Sequence, residues 1–326
     1  MSLRLKYWGV RGSLPSCQSP SHWSSHLERL MNAFFQAGFS QASQVKDFLG
    51  SLNVQQIGGV GSSTTCVEVS SPQDTLIIDG GSGIYRASEE HLKGPLGKGK
   101  GHAHIFLTHF HWDHLIGLPF YAPHFIAGNK ITYYAVQSDL AKNVRAVFQK
   151  PFFPVPFEAL GAQIQFRILK PRQGIEIGGM LITPYELDHP DPCWGYKIQC
   201  GGKTYSHCVD TEGTRVSREQ LGPDLPLYQG ADVMYYDAQY TLPELADKAN
   251  WGHSAAQIGL DIAFREKVKH ILFAHHDPGA DVAQLEELKR QTEEYYDWKI
   301  NTASTNRLEL PSVKWAYAHE GLEVQL

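Results

Sequence analysis

The chain has 326 residues, of which 42% are hydrophobic and 19% charged. That balance suits a globular protein with a sizeable core, and the net charge of −5 gives no general attraction to nucleic acid. Five scattered cysteines (Cys17, Cys66, Cys193, Cys200, Cys208) contain no C-x-x-C pair, the start lacks a signal-peptide pattern and no apolar run reaches bilayer length, so a cytoplasmic protein without a disulfide framework or membrane partner is expected.

Residues 3–8 alternate as a strand and end at Gly9-Val10-Arg11-Gly12-Ser13-Leu14-Pro15. Two glycines around an arginine predict a tight loop with exposed N–H groups and one fixed cation, which makes Arg11 a candidate phosphate contact. An ordinary glycine turn after a strand would look the same. Trp23, Leu27, Leu30, Met31, Phe34 and Phe35 then recur at helical spacing, so residues 19–56 predict a helical insertion, either packed on the body or closing over a site as a lid. The stretch 58–65 re-enters the core, and its small hydroxyl residues, Ser62 and Ser63, leave room for a substrate, although a flexible re-entry loop would look the same. A hairpin over 66–69 and 75–78 and a helix over 82–92 follow.

Residues 105–107 form a short β-prone run behind Gly-rich punctuation, and directly after them stands Thr108-His109-Phe110-His111-Trp112-Asp113-His114. Three histidines and an aspartate thus fall within six residues at a strand end, where open α/β sheets place ligands. Imidazole and carboxylate are ligands for a divalent metal such as zinc, and packed this closely they would repel or desolvate one another without a cation. Part of the excess of 16 histidines is accounted for in this way. Further on, 130–136 reads as strand, 138–149 as helix and the proline-rich 151–156 as an extended loop. Strands are predicted over 162–169, 181–186, 194–198, 203–209, 233–236 and 269–273. Ser254 is expected to cap a helix running to about Arg265, and Asp281 to open a final amphipathic helix. Runs of strands flanked by helices fit two sheets face to face with helices outside, in one domain over 1–326.

The segment from His109 to His114 resembles the signature of the metallo-β-lactamase-fold hydrolases, in the phosphodiesterase-like or RNase Z-like branch. The opening G-V-R-G-S and the strand ending in Asp79 resemble that branch as well. The resemblance implies a four-layer αββα sandwich and two metal ions. It implies that one metal takes His109, His111 and His189, the other Asp113, His114 and His275, with Asp210 bridging. Zinc is the expected metal, with manganese or iron as alternatives. His253 lies outside that set, where phosphodiesterase members carry a catalytic histidine, and Asp237 would be its partner. His102, His104, His124, His270 and His276 are left as structural, and Cys208, which shares strand parity with Asp210, either faces the site or, the reading preferred, is a buried structural thiol.

The chemistry expected from this set is hydrolysis of a small or cyclic nucleotide diester by a metal-bridging hydroxide, with Asp113 orienting it and His253 protonating the leaving group. An RNase Z-like endoribonuclease with RNA as substrate, a thioester, lactone or amide hydrolase, and a metal-dependent sensor or redox protein stand as alternatives. A homodimer is left open.

Overall fold

Side-chain alternation along the strands sorts the chain into layers. In the computed structural model, which describes residues 2–326, fourteen strands form two seven-stranded sheets. The first runs in spatial order through β1 (Arg4–Gly9), β2 (Cys66–Ser70), β3 (Thr75–Ile78), β4 (His102–Phe106), β5 (Lys130–Ala135) and β6 (Gln163–Ile168). The second runs through β7 (Ile175–Ile177), β8 (Met180–Glu186), β9 (Trp194–Cys200), β10 (Lys203–Cys208), β11 (Val233–Asp237), β12 (His270–Ala274) and β13 (Lys314–Tyr317). The last strand, β14 (Glu323–Gln325), returns to pair antiparallel with β1. From β3 to β6 and from β10 to β13 the pairing is parallel; the outer hairpins are antiparallel.

One residue of each alternating pair enters the space between the sheets. There Val67, Val69, Leu76, Ile78 and Phe106 meet Ile182, Tyr196, Ile198, Val233, Tyr235 and Leu272. Their neighbours point the other way. Ile77, Ile105, Ile131 and Tyr133 pack with residues of the helices Ile84–His91 and Leu140–Ala146. Met234, Tyr236, Ile271 and Phe273 pack with those of Ala256–Glu266 and Val282–Thr305. Helix, sheet, sheet and helix therefore stack as the expected αββα sandwich. Each such side chain, fully buried, contributes roughly 1.5–3 kcal/mol before the cost of ordering the chain.

The insertion is helical, with helices Pro20–Gln36, Val45–Ser51 and Val54–Gly58. Ser19 and Pro20 start the first one as a capped N-terminus. Phe34, Phe39 and Phe48 give it a small aromatic core, with Phe34 5.4 Å from each of the other two rings. Gln55 Nε2 donates to the Tyr317 carbonyl at 2.8 Å, which docks the rear of the insertion against β13. Trp23, Leu27, Met31 and Phe35 remain exposed.

Three short strands, β7, β13 and β14, have no counterpart among the predicted elements. Three or four residues are too few to show a period, so only their sheet partners define them. Ser254 is not a helix cap: Ala255 holds that position, while the Ser254 N–H donates to Asp237 Oδ1 at 3.1 Å. Among the described residues no helix is long and apolar enough to cross a membrane.

Candidate metal centre

The carboxyl ends of the parallel strands meet at one rim. Asp79 follows β3, the segment His109–His114 follows β4, and Asp210 and His275 follow β10 and β12, while His189 follows β8 on its loop. Asp79, Asp210 and His275 all take left-handed backbone, with φ of 63°, 64° and 59°. Residues bearing a Cβ adopt it at a cost of order 1–3 kcal/mol, and it breaks the alternation of the strand, turning the side chain out of the sheet. Close approach is built in as well. A Cβ on Gly12 would overlap the His275 ring, and one on Gly252 would overlap His189.

Two groups of donor atoms result, each within 4.8 Å internally: His109, His111, His189 and Asp210, and Asp113, His114, Asp210 and His275. Asp210 belongs to both. Its Oδ2 lies 3.4 Å from His109 Nε2, and its Oδ1 lies 3.4 Å from His114 Nε2 and 2.9 Å from His275 Nε2. All seven residues singled out as ligands from the sequence are brought together.

A second contact fixes the outward nitrogen of every imidazole. His114 Nδ1–H donates to Asp79 Oδ2 at 2.8 Å, and His275 Nδ1–H to Gln239 Oε1 at 2.8 Å. His111 Nε2–H reaches Asp191 Oδ2 at 2.8 Å, and His189 Nδ1–H the Asp191 carbonyl at 2.9 Å. His109 Nδ1 lies 3.1 Å from Thr108 Oγ1, whose own hydroxyl donates to Asp79. Each ring thus aims its other nitrogen at the centre, where it offers a lone pair once a metal takes the place of a proton. Asp113 is placed by the Ser13 N–H, which donates to its Oδ2 at 2.8 Å.

The donor set fits divalent cations. His109 Nε2, His114 Nε2, His189 Nε2 and both Asp210 oxygens are buried without a hydrogen-bond partner, and the convergence of these five atoms on one place is what a bound cation would satisfy. Electrostatics point the same way. Burial holds the His109 imidazole well below its ordinary range, helped by the charge of His114. Burial also opposes charge on His114 and His275, yet the Asp210 and Asp113 carboxylates outweigh it, pushing His114 well up and His275 to about 10. Asp210 and Asp113 are buried too, and the facing imidazoles hold both well below the carboxylate range. Buried carboxylates of this kind require cations beside them, and divalent metal supplies that charge most compactly.

Next to the second group, His253 Nδ1 lies 2.9 Å from Asp237 Oδ2, and its ring stacks on His275 with centroids 4.6 Å apart. Asp237, His253, Asp210 and His275 form a further convergent group within 4.8 Å.

Other expectations fail. Arg11 is fully buried, and its guanidinium donates to the carbonyls of Gly61 at 2.9 Å and Ala280 at 3.0 Å, so it ties loops together and cannot meet a substrate. The N–H groups of Ser62 and Ser63 are taken by the Glu320 carboxylate, which fills the space read as a ligand gap. Cys208, by contrast, is the buried structural thiol expected, packing with Leu227 and Tyr236 on the helix side, since the left-handed turn at Asp210 sends the two side chains different ways. The cysteine near the site is Cys193, with Sγ 3.6 Å from His109 Nδ1. Asp191, Gln239 and Cys193 escaped notice because each acts through a histidine distant in sequence. Asp191, two residues after His189, is the one that spacing could have flagged. His276 points away, its Nε2 donating to the Ala318 carbonyl at 2.9 Å.

The sequence profile of the beta-lactamase superfamily domain matches residues 75–276. Ribonuclease Z of Parabacteroides distasonis is 20% identical over 251 residues, covering 60% of this chain and 78% of that protein. Among solved structures, the metallo-beta-lactamase fold protein YhfI from Bacillus subtilis superposes with a TM-score of 0.63 at 14% identity, covering 100% of this chain and 99% of that one. A diphosphatase of the PhnP family superposes with a TM-score of 0.55 at 19% identity, covering 99% and 97%.

Proposed function

Since the chain belongs to the beta-lactamase superfamily, we propose that it is a dinuclear metal-dependent hydrolase of phosphodiesters, acting on a small or cyclic nucleotide. The observation that carries this reading is His253, outside both donor groups, its Nδ1 2.9 Å from Asp237 and its ring stacked on His275. With metal bound, the seven side chains of the donor groups would have their inward atoms taken and their outward N–H groups engaged, so none could protonate an alkoxide leaving group. His253 is free of that duty.

In this reading His109, His111 and His189 hold one cation, Asp113, His114 and His275 the other, and Asp210 both. The nitrogen-rich donor set suits zinc, with manganese or iron as alternatives. Bound there, two divalent ions supply the charge that acidifies water and stabilises phosphoryl oxygens. The chain does the rest. Asp113, held by the Ser13 amide at 2.8 Å, orients the attacking water. Asp237 anchors His253 through Nδ1, so that Nε2–H is the proton delivered as the phosphorus–oxygen bond to the leaving group breaks. A ribonuclease and a diphosphatase among the similar proteins support chemistry at phosphorus.

RNA is the second reading, favoured by the likeness to ribonuclease Z. Against it stand the net charge of −5 and the absence from the sequence of a recognisable basic arm for a large RNA. Zinc- or manganese-loaded protein, assayed against bis-p-nitrophenyl phosphate, cyclic nucleotides, short RNA, a lactam and a thioester, is expected to turn over the phosphodiesters and prefer the nucleotides. Activity confined to the thioester or the lactam would overturn the proposal.

A further inference from the structure

Beside His253 the chain makes a second, smaller construction. The Trp251 N–H donates to the Lys248 carbonyl at 3.1 Å, closing a turn whose Asn250 and Gly252 both take positive φ, 64° and 86°. Asn tolerates that conformation better than most residues and glycine adopts it freely. Gly252 is needed for a further reason, because a Cβ there would overlap the His189 ring. The turn therefore abuts a residue of the metal centre while holding Trp251 outward, 58% exposed.

Lys248 lies over this indole, Nζ 4.1 Å from the ring centroid, and 5.6 Å from the centroid of Tyr240. Tyr240 in turn packs edge-on against His253, centroids 5.7 Å apart. A continuous contact path thus runs from the proton donor to an exposed aromatic face and a cation. Among the described residues no carboxylate lies within ion-pair distance of Lys248, whereas Arg4, Arg172, Arg218 and Lys269 are all paired. One face of the indole lies under the Lys248 ammonium, and the exposed remainder of the ring beside that unpaired cation complements a ligand that joins a flat ring to an anion.

We infer that Lys248 and Trp251 form a nucleobase subsite on the His253 side of the metal centre, with Trp251 stacking the base and Lys248 meeting phosphate. The inference rests on the phosphodiester reading for its purpose, but not for its test. Stacking on an aromatic side chain accepts any base, so the subsite selects nucleotides as a class without selecting among bases. The cation adds a salt-dependent attraction for phosphate.

Calorimetric titration of the zinc-loaded full chain with adenosine 5′-monophosphate and with ribose 5-phosphate separates the two contributions. Wild type is expected to bind the nucleotide about 10-fold or more tighter than the sugar phosphate. Trp251→Ala should erase most of that difference while zinc content and ribose 5-phosphate affinity hold, and Trp251→Phe should restore it. Lys248→Met should weaken both ligands a few-fold and flatten their salt dependence. Equal affinity of wild type for the two ligands, or an unchanged nucleotide affinity in Trp251→Ala, overturns the inference. Turnover of bis-p-nitrophenyl phosphate is scored separately. Its absence with the nucleotide preference intact would sink the phosphodiester reading and leave the subsite standing.

Discussion

Within one metal centre, His114 and His275 have fully buried side chains and Asp113 is 6% exposed, whereas His111 shows 44% of its side chain to solvent. The supports differ in the same way. Asp79, Gln239 and the Ser13 amide hold the buried half from inside the protein, while His111 leans on Asp191, itself 68% exposed. A contact made in water is weaker and more easily replaced than the same contact in the interior. The second donor group is thus the deep half, and the first is the outer half, open to solvent at His111 and partly at His189 although its His109 is buried.

Several substitutions break or sharpen this contrast. Asp210→Ala removes the only side chain common to both halves, so both cations should be lost on dialysis and activity should fall to background, as elemental analysis and turnover would show. Retention of one tightly held metal would mean that the deep half stands alone. His253→Ala should lower turnover by about 10²–10⁴-fold at unchanged metal content. The loss should be smallest for substrates with acidic leaving groups such as p-nitrophenol, which need no proton. A uniform loss across leaving groups would remove His253 from that role.

Gln239→Leu and Asp191→Ala compare the two kinds of support directly. The buried amide accepts from His275 and also donates to Ser13 Oγ and Tyr240 Oη, both at 3.3 Å. Its loss should weaken one metal site by about 10–100-fold, as expected when a partner that orients a metal-binding histidine is removed. Asp191→Ala should cost only a few-fold, at the other site. Competition with a chromogenic chelator reads both, and equal effects would contradict the difference between buried and exposed support.

A last substitution separates metal loss from unfolding on acidification. His124 is buried, and burial pushes its imidazole down to about 3, while its Nε2 pairs with Tyr133 Oη at 2.7 Å. In the unfolded chain it titrates near the ordinary value of about 6.5. The unfolded state therefore takes up the proton first, and this stabilisation is complete above about pH 6.5 and is lost as pH falls towards 3. The slope is up to about 1.4 kcal/mol per pH unit. His124→Phe should flatten the urea-midpoint profile between pH 6.5 and 4 by about one proton. Loss of metal from the outer half at a pH where the midpoint has not moved would confirm that the site opens before the fold does.

Much of this was legible beforehand for definite reasons. The cluster from His109 to His114 is local, so its spacing alone announces a metal site, and β2, β5, β8, β10 and β12 are long enough for their patterns to show. Arg11 between two glycines misled because the same letters serve a phosphate loop and a buried clamp. Only burial distinguishes them, and burial is not a local property. Ser62 and Ser63 misled because the Glu320 carboxylate that occupies their amides comes from the far end of the chain.

By itself, then, the sequence determined the kind of chemistry: which residue types could bind metal, and that two sheets would carry them at strand ends. Tertiary structure decided the division of labour. It set which imidazole nitrogen faces inward, that Gln239 and Asp191 support the rings, that Arg11 ties loops together, and that one donor group is buried throughout while the other opens at His111. The reason is range, because periodicity and spacing speak for a few neighbouring residues, whereas the contact that aims a side chain joins residues as far apart as Asp113 and His275.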